Sequence, residues 1–134
     1  MTPVFADTSY YLALLSQDDF CHVAAQQFSR EGVWPVVTTD FVLLEIGNSF
    51  CRRNARRVFV NLVADLRCDP LCRIIPVSRT LFEAGLVLYT QRPDKDWSLT
   101  DCTSFVVMRR LRITEALTAD RHFEQAGFRV LLRP

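Results

Sequence analysis

Residues 4–15 read VFADTSYYLALL, and this stretch decides how the rest of the chain is interpreted. A short apolar run stops at Asp7, a polar turn follows, and the apolar residues from Tyr10 onward are spaced for a buried helix. The chain therefore opens with a strand, a polar turn and a helix.

The same alternation continues to the end of the chain. Gly32 lies just past the second predicted helix, where a left-handed cap would fit. Strands separated by helices imply right-handed crossovers and a parallel sheet covered on both faces. We predict one α/β domain over residues 1–134, with a central parallel sheet of four to five strands flanked by helices. The further strands are expected at residues 34–37, 73–77, 115–118 and 128–132, and the further helices at 20–30, 40–53, 54–66, 78–90, 98–110 and 120–126.

Composition and cysteine usage favour a globular protein of a reducing compartment. The 134 residues are 49% hydrophobic and 23% charged, without a low-complexity segment. The five cysteines are odd in number and form no Cys-x-x-Cys pair, which argues against a disulfide framework and a zinc site. No signal sequence is visible, and no apolar run approaches the roughly 18 residues of a membrane span. We expect a cytoplasmic protein without a membrane partner.

The basic residues are unevenly distributed although the net charge is only +1. Arginine has a planar set of donors that matches phosphate oxygens, so clustered arginines are compatible with a nucleic-acid partner. A solvated helix face is an equally good interpretation. The two clusters are Arg52, Arg53, Arg56 and Arg57, and Arg109, Arg110 and Arg112.

Four carboxylates occupy chemically unfavourable places: Asp7, Glu45, Asp101 and Asp120 each lie in or beside an apolar run. A carboxylate near apolar surface costs free energy unless it is paired. Asp7 and Asp120 are predicted at the carboxyl ends of parallel strands, where open α/β sheets bind ligands. If all four converge, they repel one another unless a cation binds, and oxygen ligands alone favour Mg²⁺ or Mn²⁺. Such a site suits attack by water on a phosphodiester.

Three of these acids also have a structural interpretation. Asp7 and Asp120 could be the N-caps of the helices that follow them. Asp101 stands three residues after Ser98, in the spacing of a capping box. Glu45 has no such role, because it sits within a helix at the border of its apolar stripe.

The order of these pieces resembles the PIN-domain ribonucleases, and in particular the toxins of VapC-type toxin–antitoxin pairs. The resemblance covers nearly the whole chain. The matching pieces are VFADTS at residues 4–9, Glu45 with Asn48, SLTDC at 98–102, LTADRHF at 117–123, and AGF at 126–128.

This resemblance implies cleavage of single-stranded or looped RNA with bound Mg²⁺ or Mn²⁺. It also implies an antitoxin partner and a homodimer. RNA, a second subunit and the antitoxin are the three candidate partners of the cluster Arg52, Arg53, Arg56 and Arg57, and the sequence does not choose among them. Glu124, one helical turn after Asp120, is a possible extra member of the site. The implied metal ligands and catalytic residues are Asp7, Glu45, Asp101 and Asp120, with Thr8 and Ser98 as supporting polar groups.

Other residues are given simpler interpretations. His22 and His122 are expected to be packed or solvent-facing, because bound metal can activate water without a histidine base. Tyr10, Tyr11 and Trp97 are candidates for stacking on unpaired bases, Trp97 above all, since it precedes the Asp101 helix. Phe105, at helical spacing, is expected in the core.

Three further functions remain open at the level of sequence. The same residues would serve a PIN nuclease of RNA processing that is not a toxin. A non-catalytic RNA- or protein-binding module would use the acids only as caps. A phosphoryl-transfer domain with Asp7 as acceptor is disfavoured, because position 9 is Ser rather than Asp and the only lysine, Lys95, lies in a predicted loop.

Overall fold

Five short parallel strands form the centre of the part of the chain that the computed structural model describes, residues 2–133. Their order across the sheet is β3-β2-β1-β4-β5, and every neighbouring pair is parallel, as predicted. β1 is central and fully buried. The strands are β1 (Val4–Ala6), β2 (Val36–Thr39), β3 (Cys72–Ile75), β4 (Glu115–Leu117) and β5 (Arg129–Val130).

Seven helices connect these strands within residues 2–133, in the order the sequence predicts. Most boundaries differ from the prediction by one to three residues, and two of the differences have a clear local cause. β2 begins at Val36 because Pro35 has no N–H for the ladder, although its carbonyl accepts from Val4. α3 ends at Ser49 rather than at residue 53. The helices are α1 (Thr8–Leu15), α2 (His22–Glu31), α3 (Asp40–Ser49), α4 (Arg56–Cys68), α5 (Arg79–Gln91), α6 (Leu99–Leu111) and α7 (Arg121–Gln125).

The early end of α3 follows from its last residues, Asn48 and Ser49, whose short polar side chains compete for backbone hydrogen bonds. At the other end, Thr39 caps α3 by accepting a hydrogen bond from the Val42 amide. Gly32 ends α2 with φ of +60°, so the predicted left-handed cap is confirmed.

Close packing of α5 on α6 determines where the first turn of α6 lies. A Cβ atom at Gly85 would stand 2.6 Å from Cγ2 of Thr103, so only glycine lets the two helices approach this closely. Phe105 of α6 is fully buried and packs edge-on against Phe123 at 4.9 Å between ring centroids, which confirms Phe105 as a core residue. These contacts hold α6, and with it Asp101, against the sheet.

All five cysteines are free thiols, as the sequence predicts. Within residues 2–133, the helices are too short or too polar to cross a bilayer.

Candidate metal centre

The carboxyl edge of the sheet gathers three of the predicted site residues. β1 and β4 are parallel neighbours, so their carboxyl ends meet at one edge, where Asp7 and Asp120 follow. The first turn of α6 brings Asp101 to the same place, close enough for Asp101 and Asp120 to act electrostatically on Asp7. Asp7 and Asp101 are only 4% and 7% exposed.

Asp7 occupies the N-cap position of α1, but its side chain does not cap the helix. Its Oδ2 atom instead accepts hydrogen bonds from Thr118 Oγ1 at 2.9 Å and from Ser9 Oγ at 3.3 Å. The capping interpretation of Asp7 is therefore wrong. Thr118, across the sheet, makes the shorter of these two hydrogen bonds, and the Ser9 hydroxyl of α1 makes the longer one.

Burial raises the pKa of Asp7 from 3.8 to about 7. The Thr118 hydroxyl acts in the opposite direction by stabilising the charged form, and the negative charges of Asp101 and Asp120 add to the increase. A buried carboxyl with this pKa is poorly compensated by the protein alone. A bound cation would supply the missing compensation.

Thr118 joins the two strand ends. Its buried hydroxyl donates to Asp7, accepts from the Asp120 amide at 3.0 Å and lies 2.8 Å from Ser9 Oγ. Thr118 and Ser9 lie within the sequence motifs, but their motifs predicted no role for either side chain. The sequence feature that could have indicated the role of Thr118 is a threonine two residues before an acid at the end of a strand.

Asp101 belongs to a capping box, as its spacing from Ser98 predicts. Ser98 Oγ accepts from the Asp101 amide at 3.0 Å, and Asp101 Oδ2 accepts from the Ser98 amide at 3.1 Å. Burial raises the pKa of Asp101, an effect that the Ser98 amide opposes and the charge of Asp120 reinforces. Ser98 thus fixes the orientation of this carboxylate, which suits its predicted supporting role.

Asp120 caps α7, and the same turn carries an unexpected histidine. Asp120 Oδ1 accepts from the His122 amide at 2.9 Å. The His122 ring nitrogen Nδ1 lies 3.2 Å from Asp101 Oδ2 and 3.3 Å from Asp120 Oδ1. His122 is half-buried against these two acids, a contact that the sequence alone did not indicate. Because side chains lean toward the start of their helix, a residue in the first turn of α7 reaches back to the acids.

Glu45 and Glu124 are not members of the group of donor atoms that Asp101, Asp120 and His122 form among the described residues. Glu45 is half-buried on α3, which packs against α1 and α6, and its carboxylate accepts no hydrogen bond from residues 2–133. Its predicted role as a ligand stays a prediction. Glu124 is exposed and pairs with Arg133.

The aromatic residues proposed to stack on bases point into the protein. Tyr10 and Tyr11 are buried. Trp97 is 4% exposed, donates from Nε1 to Gln125 Oε1 at 3.0 Å and packs edge-on against Phe105. The stacking prediction is wrong for these three residues, because the indole and the phenol rings fill the core. By contrast, His22 has the structural role expected of it, since its Nδ1 atom lies 2.7 Å from the Ala13 carbonyl oxygen.

The donor set at the sheet edge fits a divalent cation. Asp101, Asp120 and His122 each offer a ligand atom, and these atoms lie within 4.8 Å of one another. Within residues 2–133, Asp101 Oδ1 and Asp120 Oδ2 accept no hydrogen bond, so each carboxylate keeps one oxygen for a ligand. Beside Asp7, the buried Thr8 hydroxyl has no hydrogen-bond partner among the described residues. Carboxylate oxygens are the donors that Mg²⁺ and Mn²⁺ prefer.

This fold and this acidic edge define a family. Residues 4–129 match the PIN domain, and the chain belongs to that family. It is similar to the 23S rRNA-specific endonuclease VapC20 of two Mycobacterium tuberculosis strains, with 32% identity over 131 residues that cover 98% of each chain. The predicted resemblance to VapC-type PIN-domain ribonucleases is confirmed.

Two solved structures share the fold. The crystal structure of Mycobacterium tuberculosis VapC20, described as a sarcin-ricin loop cleaving toxin, aligns with a TM-score of 0.84 at 32% identity and covers 98% of this chain and 99% of that one. FitAcB from Neisseria gonorrhoeae aligns with a TM-score of 0.65 at 17% identity over 96% of both chains, and this likeness concerns the fold alone.

Proposed function

We propose that this chain is a metal-dependent endoribonuclease that hydrolyses phosphodiester bonds in RNA, and that it is the toxin of a toxin–antitoxin pair. The observation that carries the proposal is the convergence of Asp7, Asp101 and Asp120 at the carboxyl edge of the sheet. Two of these acids are buried, and both have raised pKa values. Burying these carboxylates costs free energy unless a cation binds them, and shifted pKa values of this kind are typical of functional sites.

The proposed ligands of Mg²⁺ or Mn²⁺ are Asp7, Asp101 and Asp120, with Glu45 completing the set from α3. When bound, the cation neutralises charge at the phosphodiester and lowers the pKa of the attacking water. The protein contributes orientation. The Thr118 hydroxyl holds Asp7, the Ser98 amide holds Asp101, and the His122 amide holds Asp120.

Ribosomal RNA is the substrate class that we propose. The support is the relationship to VapC20, which extends over 98% of this chain and is named for cleavage of 23S rRNA. Such a substrate is encountered in the cytoplasm. The exposed side chains of Arg52, Arg53, Arg56 and Arg57 offer a basic surface for its phosphates.

An antitoxin protein and a second copy of the chain are the proposed partners. A PIN nuclease of RNA processing would have the same cluster, and expression in a host distinguishes the two. A toxin arrests growth through its nuclease activity, and co-expression of its antitoxin restores growth. The non-catalytic module is the third candidate, and it predicts RNA binding without cleavage.

The test is cleavage of labelled structured RNA by the purified protein with Mg²⁺, with Mn²⁺ and with chelator. We expect cleavage only with metal, and its loss in Asp7→Asn and Asp101→Asn. Asp94→Asn is the matched control, because Asp94 is exposed and its carboxylate pairs with Arg92. Equal cleavage by all variants, or RNA binding without cleavage, would favour the non-catalytic module.

A further inference from the structure

His122 lies between two acids whose charges should repel each other. The imidazole is 22% exposed, and its Nδ1 atom stands 3.2 Å from Asp101 Oδ2 and 3.3 Å from Asp120 Oδ1. The contact with Asp101 has hydrogen-bond geometry, and Asp120 Oδ1 lies beside the same ring nitrogen. The ring therefore links the first turn of α6 to the first turn of α7.

The oxygens that His122 contacts are those already turned toward the protein. Asp101 Oδ2 also accepts from the Ser98 amide, and Asp120 Oδ1 accepts from the His122 amide. Within residues 2–133, the second oxygen of each carboxylate accepts no hydrogen bond. The imidazole and the amides thus occupy one side of the two carboxylates and leave the other side to a ligand.

We propose that His122 is a positioning residue of the metal centre: it donates from Nδ1 to Asp101, packs its ring nitrogen against Asp120 and holds the free oxygens of both acids toward a shared cation. This inference rests on the proposed metal-dependent function. Hydrogen bonds from outside the ligand shell orient carboxylates, and their removal costs about 10- to 100-fold in metal affinity. His122 itself does not bind the cation in this arrangement.

The experiment measures Mn²⁺ binding to the full chain by calorimetry, without RNA. His122→Ala removes the donor, whereas His122→Asn keeps an N–H group at the position of Nδ1. We expect an affinity loss of roughly 10- to 100-fold in His122→Ala and recovery of most of it in His122→Asn. His22→Ala is the matched control, since His22 contacts the Ala13 carbonyl and not the acids. If His122→Ala does not fold, His122→Gln displaces the donor instead and should bind weakly.

Electron spin-echo spectroscopy of the bound Mn²⁺ decides whether His122 is a ligand. We expect no coupling from a directly bound ¹⁴N nucleus in the wild type. Strong ¹⁴N coupling that disappears in His122→Ala would overturn the positioning role and make His122 a ligand. Unchanged Mn²⁺ affinity in His122→Ala would also overturn it, while leaving the proposed function intact. If the wild type binds no Mn²⁺, both proposals fall.

Discussion

The β1–α1 and β4–α7 junctions are built alike but use their aspartates differently. Each places an aspartate at the N-cap of a helix that follows one of two neighbouring strands. Asp120 caps its helix with a 2.9 Å hydrogen bond to the His122 amide, and its side chain is 33% exposed. Asp7 makes no cap bond, is 4% exposed and is held across the sheet by Thr118.

The two aspartates therefore differ in how they affect the stability of the fold and in how they serve the acidic site. Asp120 contributes to stability through its cap and is partly exposed to solvent. Asp7 is central in the sheet, and its charge is a cost to the metal-free fold. We infer that Asp7 is the more specialised of the two, which the following predictions test.

The largest expected difference between the two acids is in the cleavage rate that remains after each is substituted. We expect Asp7→Asn to reduce the cleavage rate by about 10³-fold, because it removes the buried charge at the centre of the cluster. Asp120→Asn should cost less, about 10²-fold or below, because this carboxylate is partly exposed. Single-turnover cleavage of a labelled RNA measures both rates. Equal losses would remove the functional distinction between the junctions.

The metal-free protein should become more stable when the charge of Asp7 is removed. Because the pKa of Asp7 is raised to about 7, the folded state holds this proton more tightly than the unfolded state. The associated stability is present below the ordinary carboxyl pKa and is lost as pH rises toward 7. The free energy of unfolding of Asp7→Asn should therefore exceed that of the wild type by up to about 4 kcal/mol at pH 8. The difference should be smaller at pH 5. Urea unfolding in the presence of chelator measures this difference at both pH values. A larger difference at pH 5 than at pH 8 would contradict the predicted direction of the pH dependence.

Metal binding should narrow the difference in stability between the wild type and Asp7→Asn. A cation that binds only the folded state at about 100 times its Kd adds about 2.7 kcal/mol. The melting temperature of the wild type should rise with Mn²⁺, that of Asp7→Asn should rise much less, and Asp94→Asn should follow the wild type. A similar rise in Asp7→Asn would show that Asp7 is not a principal ligand.

Thr118 should matter through its hydroxyl alone. Thr118→Val keeps the shape but removes the donor to Asp7 and the acceptor for the Asp120 amide. Hydrogen bonds to charged groups are worth about 1.5–3 kcal/mol, so we expect at least about a tenfold loss of cleavage. Thr118→Ser should retain most of the activity. If the valine and serine variants are equally impaired, packing rather than hydrogen bonding explains the effect.

The smallest expected difference concerns the cap. Asp120→Ala should lower the free energy of unfolding by about 1 kcal/mol, while Asp120→Asn, which can still accept the His122 amide, should change it little. Denaturant unfolding at pH 8 with chelator gives both values. Loss of stability in Asp120→Asn would mean that the charge, and not the cap, stabilises α7.

Local chemistry made much of the fold and part of the site predictable from the sequence alone. Alternating apolar runs and polar turns indicated the parallel sheet, Gly32 marked the end of α2, and the spacing of Ser98 and Asp101 indicated the capping box. Asp7, Asp101 and Asp120 could be placed together because strand ends and helix starts meet at one edge of such a sheet. Each of these inferences depends on residues that are close in sequence or on a general rule of topology.

Only the tertiary structure decided which side chains touch at that edge. Thr118 and Asp7 are 111 residues apart, so no local pattern shows that this contact replaces a helix cap. Likewise, His122 meets Asp101 and Trp97 meets Gln125 only after α6 and α7 pack together. Burial and partner choice are set by the three-dimensional surroundings of a side chain, and these determine its pKa and whether it faces solvent, core or ligand.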